Sequence, residues 1–202
     1  VNDAPIIVDQ DSLITLEDTP ITITLLDLIV TDIDNVYPEG FALTVLPGEH
    51  YTFDGTTVTP DLNYNEDLTV SIYVDDGEDH HSESNTFNLT VAVTPVNDAP
   101  DPTTAKLVGV ENAVTSGKLV ASDVDGDALT FALVEGPTTG TLSISPNGTY
   151  TYAAASDYLD AGTKETLSFS YSVSDGTETV TKVAELTVFA ATENDDVIYG
   201  GE

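Results

Sequence analysis

Apolar and polar residues alternate along most of this chain with a period of two. In its first half Ile21/Ile23/Leu25, Phe41/Leu43/Val45, Val70/Ile72/Val74 and Phe87/Leu89/Val91/Val93 are interleaved with Thr, Ser, Asn and Ala. In its second half Leu129/Phe131/Leu133, Leu142/Ile144, Tyr150/Tyr152, Leu167/Phe169/Tyr171/Val173 and Ala184/Leu186/Val188 repeat the pattern. Side chains two positions apart share one side of a strand, so each run predicts a strand with one buried face. Gly, Asn and Asp separate the runs as turn formers, and no window of ten or more residues carries helical spacing. About seven short antiparallel strands per ~95 residues match the arithmetic of an immunoglobulin-like sandwich with Greek-key connections. The sequence therefore predicts an all-β chain.

The pattern is also tandem. Val1-Asn2-Asp3-Ala4-Pro5 returns letter for letter as Val96-Asn97-Asp98-Ala99-Pro100, and a third Asn-Asp pair stands at Asn194-Asp195. A fixed period of this size marks repeated domains. Proline fixes its own φ and pushes its predecessor out of the helical region, so Asn-Asp-Ala-Pro suits a short extended linker. The expected division is one sandwich over 1–97, a second over 98–190, and the start of something else over 191–202.

Charge changes the picture most. The chain of 202 residues has 36 acidic residues against four lysines, a formal −32, with no cysteine, methionine or tryptophan. Such a polyanion is repelled by phosphate, which argues against nucleic acid and against contact with anionic membranes. The lack of cysteine excludes disulfides, thiolate metal sites and thiol catalysis. No run approaches the ~20 apolar residues of a membrane-spanning helix, and any export signal is expected outside this stretch. Two carboxylates about 5 Å apart repel by roughly 0.8 kcal/mol in water, and several times that in a less polar setting. Dispersed acids are tolerable, but clustered acids need cations.

The acids do cluster, in register. Asp123-Val124-Asp125-Gly126-Asp127 precedes the strand from Leu129, and Asp175-Gly176 follows the strand ending at Val173. The first repeat has Asp32-Ile33-Asp34 and Asp75-Asp76-Gly77 at matching places. Counting strands puts these loops at the same end of their sandwich as the incoming Asn-Asp linker. Glu17 and Glu111, one strand's length after each linker, are expected at the far end, with the acids that precede the sixth strand, Glu66 and Asp67 in the first repeat and Glu165 in the second. Oxygen-only donors suit calcium; magnesium, which keeps its waters, fits less well. An EF-hand is excluded, because Gly126 falls at loop position 4 and Val134 at position 12. The bland reading, solvated turn residues, would suffice for one Asp-Gly but not for a recurring set.

These motifs, the Asn-Asp-Ala-Pro linker, Glu111-Asn112, Asp123-x-Asp125 and Tyr171-x-Val173-x-Asp175-Gly176, resemble the bacterial cadherin-like tandem repeats of very large surface adhesins. The resemblance implies two cadherin/immunoglobulin-like sandwiches joined by a calcium-binding linker. It implies a central Ca²⁺ site using Glu17, Asn97, Asp98, Asp123 and Asp125, with Asp127 and Asp175 assisting and Glu66 and Asp67 a looser match. By the same register Asn2, Asp3, Asp32, Asp34 and Asp76 would serve a joint before the first repeat, and Glu111, Asn194 and Asp195 one after the second. Ala99 stands where animal cadherin linkers have a second Asn, which points to fewer ions at the joint. The tail Asn194-Asp195-Asp196-Val197-Ile198-Tyr199-Gly200-Gly201 resembles the lead-in to the calcium-binding nonapeptide (RTX) repeats of type I-secreted proteins.

The implied function is a calcium-stiffened extender of a bacterial cell-surface adhesin, extracellular and monomeric as a fragment, whose partners are its neighbouring domains. The alternative is a ligand-binding module for a polysaccharide or surface protein, with Tyr37, Tyr51, Tyr64 and Tyr158 as candidate platforms. His50 and the His80-His81 pair read as surface-loop residues. An enzyme is not expected, since an active site has no reason to be duplicated together with a linker.

Overall fold

The computed structural model describes residues 2–156 and 158–191. Asn194, Asp195 and the tail they belong to lie outside the described residues. The chain divides into two compact units, Val1–Val96 and Asn97–Glu202.

The first unit contains β1 (Ile6–Gln10), β2 (Leu13–Leu16), β3 (Ile21–Thr22), β4 (Leu28–Thr31), β5 (Ala42–Val45), β6 (Tyr51–Asp54), β7 (Thr57–Pro60), β8 (Leu68–Asp75) and β9 (Phe87–Thr94). One sheet has the order β2-β9-β8-β5, the other β3-β7-β6, and β1 pairs with β4. The second unit contains β10 (Asp101–Pro102), β11 (Lys106–Val110), β12 (Val114–Lys118), β13 (Ala121–Ser122), β14 (Thr130–Glu135), β15 (Thr141–Ile144), β16 (Thr149–Ala153), β17 (Lys164–Ser174) and β18 (Thr179–Phe189). Its sheets run β11-β18-β17-β14 and β12-β16-β15, with β10 paired to β13. The two topologies superpose strand for strand. In each unit one strand leaves the four-stranded sheet, two add to the facing sheet, and the next returns beside the first, which is a Greek-key crossover. The fold is all-β, a pair of two-sheet sandwiches.

Alternation explains the cores. Along β8, Leu68, Val70, Ile72 and Val74 are buried, and Leu89, Val91 and Val93 of β9 meet them. In the second unit Phe169, Tyr171 and Val173 face Leu186 and Val188, with Tyr152 fully buried. The buried tyrosines keep their hydroxyls satisfied: Tyr152 donates to Thr139 O and Tyr171 to Thr103 O, both at 2.9 Å.

Some sequence expectations need correction. The run Ile21/Ile23/Leu25 is not one strand: β3 ends at Thr22 and Leu25–Asp27 forms a 3₁₀ turn. Asp27 Oδ2 accepts hydrogen bonds from Thr24 N and Thr24 Oγ1 at 2.7 and 2.8 Å, a capping arrangement that ends the extended backbone. The first strand is also split. β1 pairs antiparallel with β4, whereas β2 pairs parallel with β9, and β10 and β11 divide the same work in the second unit. Glu165 lies inside β17 and not ahead of it.

Candidate metal centre

Backbone conformation and hydrogen bonding, more than the acids themselves, decide where the carboxylates point. In the second unit three segments meet at one end of the sandwich: the extended Asn97–Asp98, the loop after β13, and the β17–β18 turn. Asn97 Nδ2 donates to Asp175 Oδ2 at 3.0 Å, which leaves the amide oxygen of Asn97 available as a ligand. Asp98 N donates to Asp125 Oδ2 at 2.7 Å. Asp175 Oδ1 is held by the Thr177 and Glu178 amides at 2.6 Å each. The Glu178 amide, aided by Asn97 and Thr177, lowers the Asp175 pKa below the ordinary carboxylate value, with burial acting in opposition. Asp123, Asp125 and Asp127 each offer a carboxylate oxygen, all within 4.8 Å of one another.

The first unit builds the same device at its own matching end. Asn2 Nδ2 donates to Asp76 Oδ2 at 3.0 Å, and Asp3 N donates to Asp34 Oδ2 at 2.7 Å. Asp32 Oδ1 accepts from the Asp34 and Asn35 amides, both at 2.8 Å. Asn2 also donates to the carbonyls of His80 and His81, so this loop contributes through its backbone. Position 36, the counterpart of Asp127, is Val36, so the third carboxylate of the Asp123/Asp125/Asp127 group has no counterpart there.

At the opposite end of each sandwich a glutamate is buried. Glu17 and Glu111 are each only 4% exposed. Glu17 N donates to Thr94 O, Glu111 N to Phe189 O, and Glu17 Oε1 accepts from Val96 N. Glu111 Oε1 accepts from Tyr158 N and Leu159 N at 2.7 Å. The residue after each glutamate, Asp18 (φ 55°) or Asn112 (φ 58°), adopts the left-handed conformation that Asp and Asn tolerate best. That turn folds the glutamate back over the end of its sandwich. Glu111-Asn112 is the part of it read from the sequence; Asp18 and the amide donors were not.

Other candidates are not gathered. Glu66 and Asp67 are exposed in the turn leading to β8, and Glu165 is exposed on β17. Tyr51 belongs to the core, donating to Leu46 O. Tyr37 donates to Leu25 O and packs edge-on against Phe41 at 5.0 Å. Tyr64 stacks on His50 at 4.4 Å, and the Tyr158 hydroxyl is buried with no hydrogen-bond partner of normal geometry among the described residues. All four candidate sugar platforms are therefore packing residues.

The donor set fits a hard divalent cation. It consists of carboxylate and amide oxygens, with no thiolate or imidazole nitrogen gathered among them. Three carboxylate oxygens, Asp32 Oδ2, Asp98 Oδ2 and Asp123 Oδ2, are out of solvent with no hydrogen-bond partner among the described residues. An ionised oxygen in that state is costly unless a cation meets it. Carboxylates at 4.8 Å repel by about 0.9 kcal/mol per pair in water and about fourfold more at an effective dielectric near 20.

Residues 97–190 match the family model of the bacterial cadherin-like domain, and residues 2–92 match that of the bacterial Ig domain. Among solved structures the chain is similar to protocadherin gamma B2 extracellular cadherin domains 1–5, with a TM-score of 0.62 and 16% identity over 96% of this chain and 42% of that one. It is similar to human protocadherin-24 EC1–2, with a TM-score of 0.59 and 16% identity over 96% of this chain and 100% of that one. Protocadherin gamma B4 gives 0.52 and 15% identity over 94% of this chain and 34% of that one. The chain thus spans less than half the length of the first of these structures. At such identities the likeness is one of fold. No curated protein matches the sequence.

Proposed function

We propose, from the match of residues 97–190 to the bacterial cadherin-like domain model and of residues 2–92 to the bacterial Ig domain model, that the chain is a calcium-stiffened extender segment of a bacterial cell-surface adhesin. The domain types themselves make the role structural and not enzymatic. The observation that carries the calcium reading is duplication. Both units orient an Asn, an Asp, an Asp-x-Asp and an Asp-Gly acid at one end, and both bury a glutamate at the other.

In this reading Asn97, Asp98, Asp123, Asp125, Asp127 and Asp175 form one half of a calcium site, and Glu17 of the preceding sandwich completes it. Glu66 and Asp67, exposed in the turn leading to β8, are the looser additions to it. Asn2, Asp3, Asp32, Asp34 and Asp76 form the same half for a joint ahead of the first sandwich. Glu111 provides the other half for a joint after the second. The bound ion supplies charge neutralisation and six to eight coordination places, and it costs little where calcium is plentiful. Extracellular modules bind calcium at roughly 0.1–1 mM, so the segment would stiffen outside the cell and stay loose inside it. At a hundredfold excess over the dissociation constant each site adds about 2.7 kcal/mol to the folded state.

Calorimetry on the chain tests this. Calcium titration is expected to give saturable heat and a raised melting temperature, both reduced in Asp123→Ala. A flat titration in millimolar calcium, with no melting shift, would defeat the proposal.

A further inference from the structure

What repeats between the two units is architecture; what does not repeat marks a place where one unit does something of its own. All four lysines, Lys106, Lys118, Lys164 and Lys182, lie in the second unit. Two are occupied internally: Lys182 Nζ donates to Pro102 O, and Lys164 sits over the Phe189 ring at 5.9 Å. The ammonium groups of Lys106 and Lys118 make no hydrogen bond or ion pair among the described residues; both residues line one cleft, and Glu185 stands opposite Lys106 in the β11–β18 register. It opens between β11 and β12, the edge strands of the two sheets, and Thr103, Thr104, Val120 and Tyr150 complete its walls. No carboxylate lines it.

The first unit lacks this chemistry at the same places. In the sheet register Gly117 opposes Tyr150 and Lys118 opposes Thr149, while Ile21 opposes Val58 and Thr22 opposes Thr57. Thr22 and Val58 therefore stand where Lys118 and Tyr150 do. Counting back from Glu17 and Glu111, Ser12 stands where Lys106 does. Gly117 also shapes the cleft: a Cβ there would lie 2.5 Å from the Tyr150 hydroxyl, so the missing side chain lets the ring lie across β12.

We propose that this cleft of the second unit binds one anionic group of an acidic polysaccharide, a carboxylate or a sulfate ester on a sugar ring. Two ammonium groups free of internal partners supply charge, lysine stems and the Tyr150 ring supply apolar contact for a ring face, and the threonine hydroxyls supply polar edges. The cleft holds about 160 Å³, against roughly 300–1,000 Å³ for a pocket that encloses a small molecule. It therefore grips one group of a longer chain. The −32 field opposes any polyanion, so the fitting ligand is a polysaccharide whose acidic sugars are separated by neutral ones; a polymer of densely spaced phosphates would be repelled more strongly. Lysines on edge strands also serve to block edge-to-edge pairing of sheets. That simpler role predicts no saccharide binding.

The test follows amide NMR spectra of the whole chain, in millimolar chelator so that no metal bridges protein and sugar. Galacturonate, sulfated galactose and neutral galactose tetrasaccharides are titrated up to about 10 mM. Shifts confined to residues 103–107, 118–120 and 150, given by an anionic and not the neutral sugar, are expected. The preference between the two anionic sugars identifies the group. Lys106→Ala with Lys118→Ala should weaken binding about tenfold or more, and Lys→Arg at both should retain it. Both lysines are exposed, so the fold serves as an internal control in the same spectra. No shifts, equal shifts with the neutral sugar, or unchanged binding in the double Ala variant would overturn the proposal and leave the lysines as edge guards. Because no lining residue is a proposed calcium ligand, this outcome is independent of the calcium experiment.

Discussion

Single residues in this protein are held by the backbone around them. Tyr37 and Tyr158 show how strongly. Burial, reinforced by the Asp27 charge, pushes the Tyr37 phenol up to about 12. Burial, reinforced by Tyr152, Glu165 and Glu111, does the same to Tyr158. An unfolded tyrosine ionises near 10, so both groups favour the folded state fully below pH ~10 and lose that contribution as pH rises through about 12. Tyrosinate absorbance is expected to rise in two steps, the later one coinciding with loss of strand signal in circular dichroism. Coincident early ionisation of all nine tyrosines, with the fold intact, would contradict the burial described. The acids were legible as residues, because Asp-x-Asp, Asp-Gly and Asn-Asp stand in register. Their orientation was not, because it depends on amides such as Glu178 N and on carbonyls such as His80 O that no side-chain pattern reports.

At the scale of elements the period-two runs located β8, β9 and β14 to β18; burial alternates along nearly all of β8 and β9, and along β17 and β18 it is confined to part of each strand. The runs missed β1, β2, β4, β6, β7, β11 and β12, each of only four or five residues, too short for the alternation to stand out even where, as in β2 and β11, burial does alternate. Two glycines separate the tight regions of the second unit from the open ones. A Cβ on Gly109 of β11 would lie 2.7 Å from Tyr152 Cε1, and Tyr152 is fully buried. Gly109→Ala should therefore cost about 1–3 kcal/mol by overpacking, read from the urea midpoint at constant slope. Gly117→Ala meets Tyr150, which is half-buried and can swing outward, so its effect should be clearly smaller. Equal costs at both glycines would show that Tyr152 is not confined.

For the whole molecule the dominant quantity is its charge, and its distribution is uneven. Residues 1–96 contain no lysine or arginine, whereas the four lysines all follow. Without calcium, self-repulsion should weigh more on the first sandwich. Raising sodium chloride from about 0.01 M to about 0.5 M shortens the screening length from ~30 Å to ~4 Å. In chelator, hydrogen-exchange protection of β8 and β9 should then rise more than that of β17 and β18. A larger gain in the second sandwich, or none in either, would mean that repulsion does not limit folding. Sequence alone made the number of sandwiches and their acidic ends legible. The cleft at the edge of the second was illegible, because Lys106, Lys118 and Tyr150 are far apart in the chain and meet only through the sheet register.

The parallel pairing of β2 with β9, and of β11 with β18, has a mechanical corollary. Behind the short first strand of each sandwich, the second strand and the last run side by side in the same direction, so tension that reaches them from the two ends of a unit slides them along one another. All the ladder bonds then resist together, where an antiparallel hairpin drawn from its open end would unzip rung by rung. The rung count is four residues in the first sandwich and five in the second. A tether assembled from such units resists pull through strand geometry alone, and its weakest link is the unit with the shorter clasp.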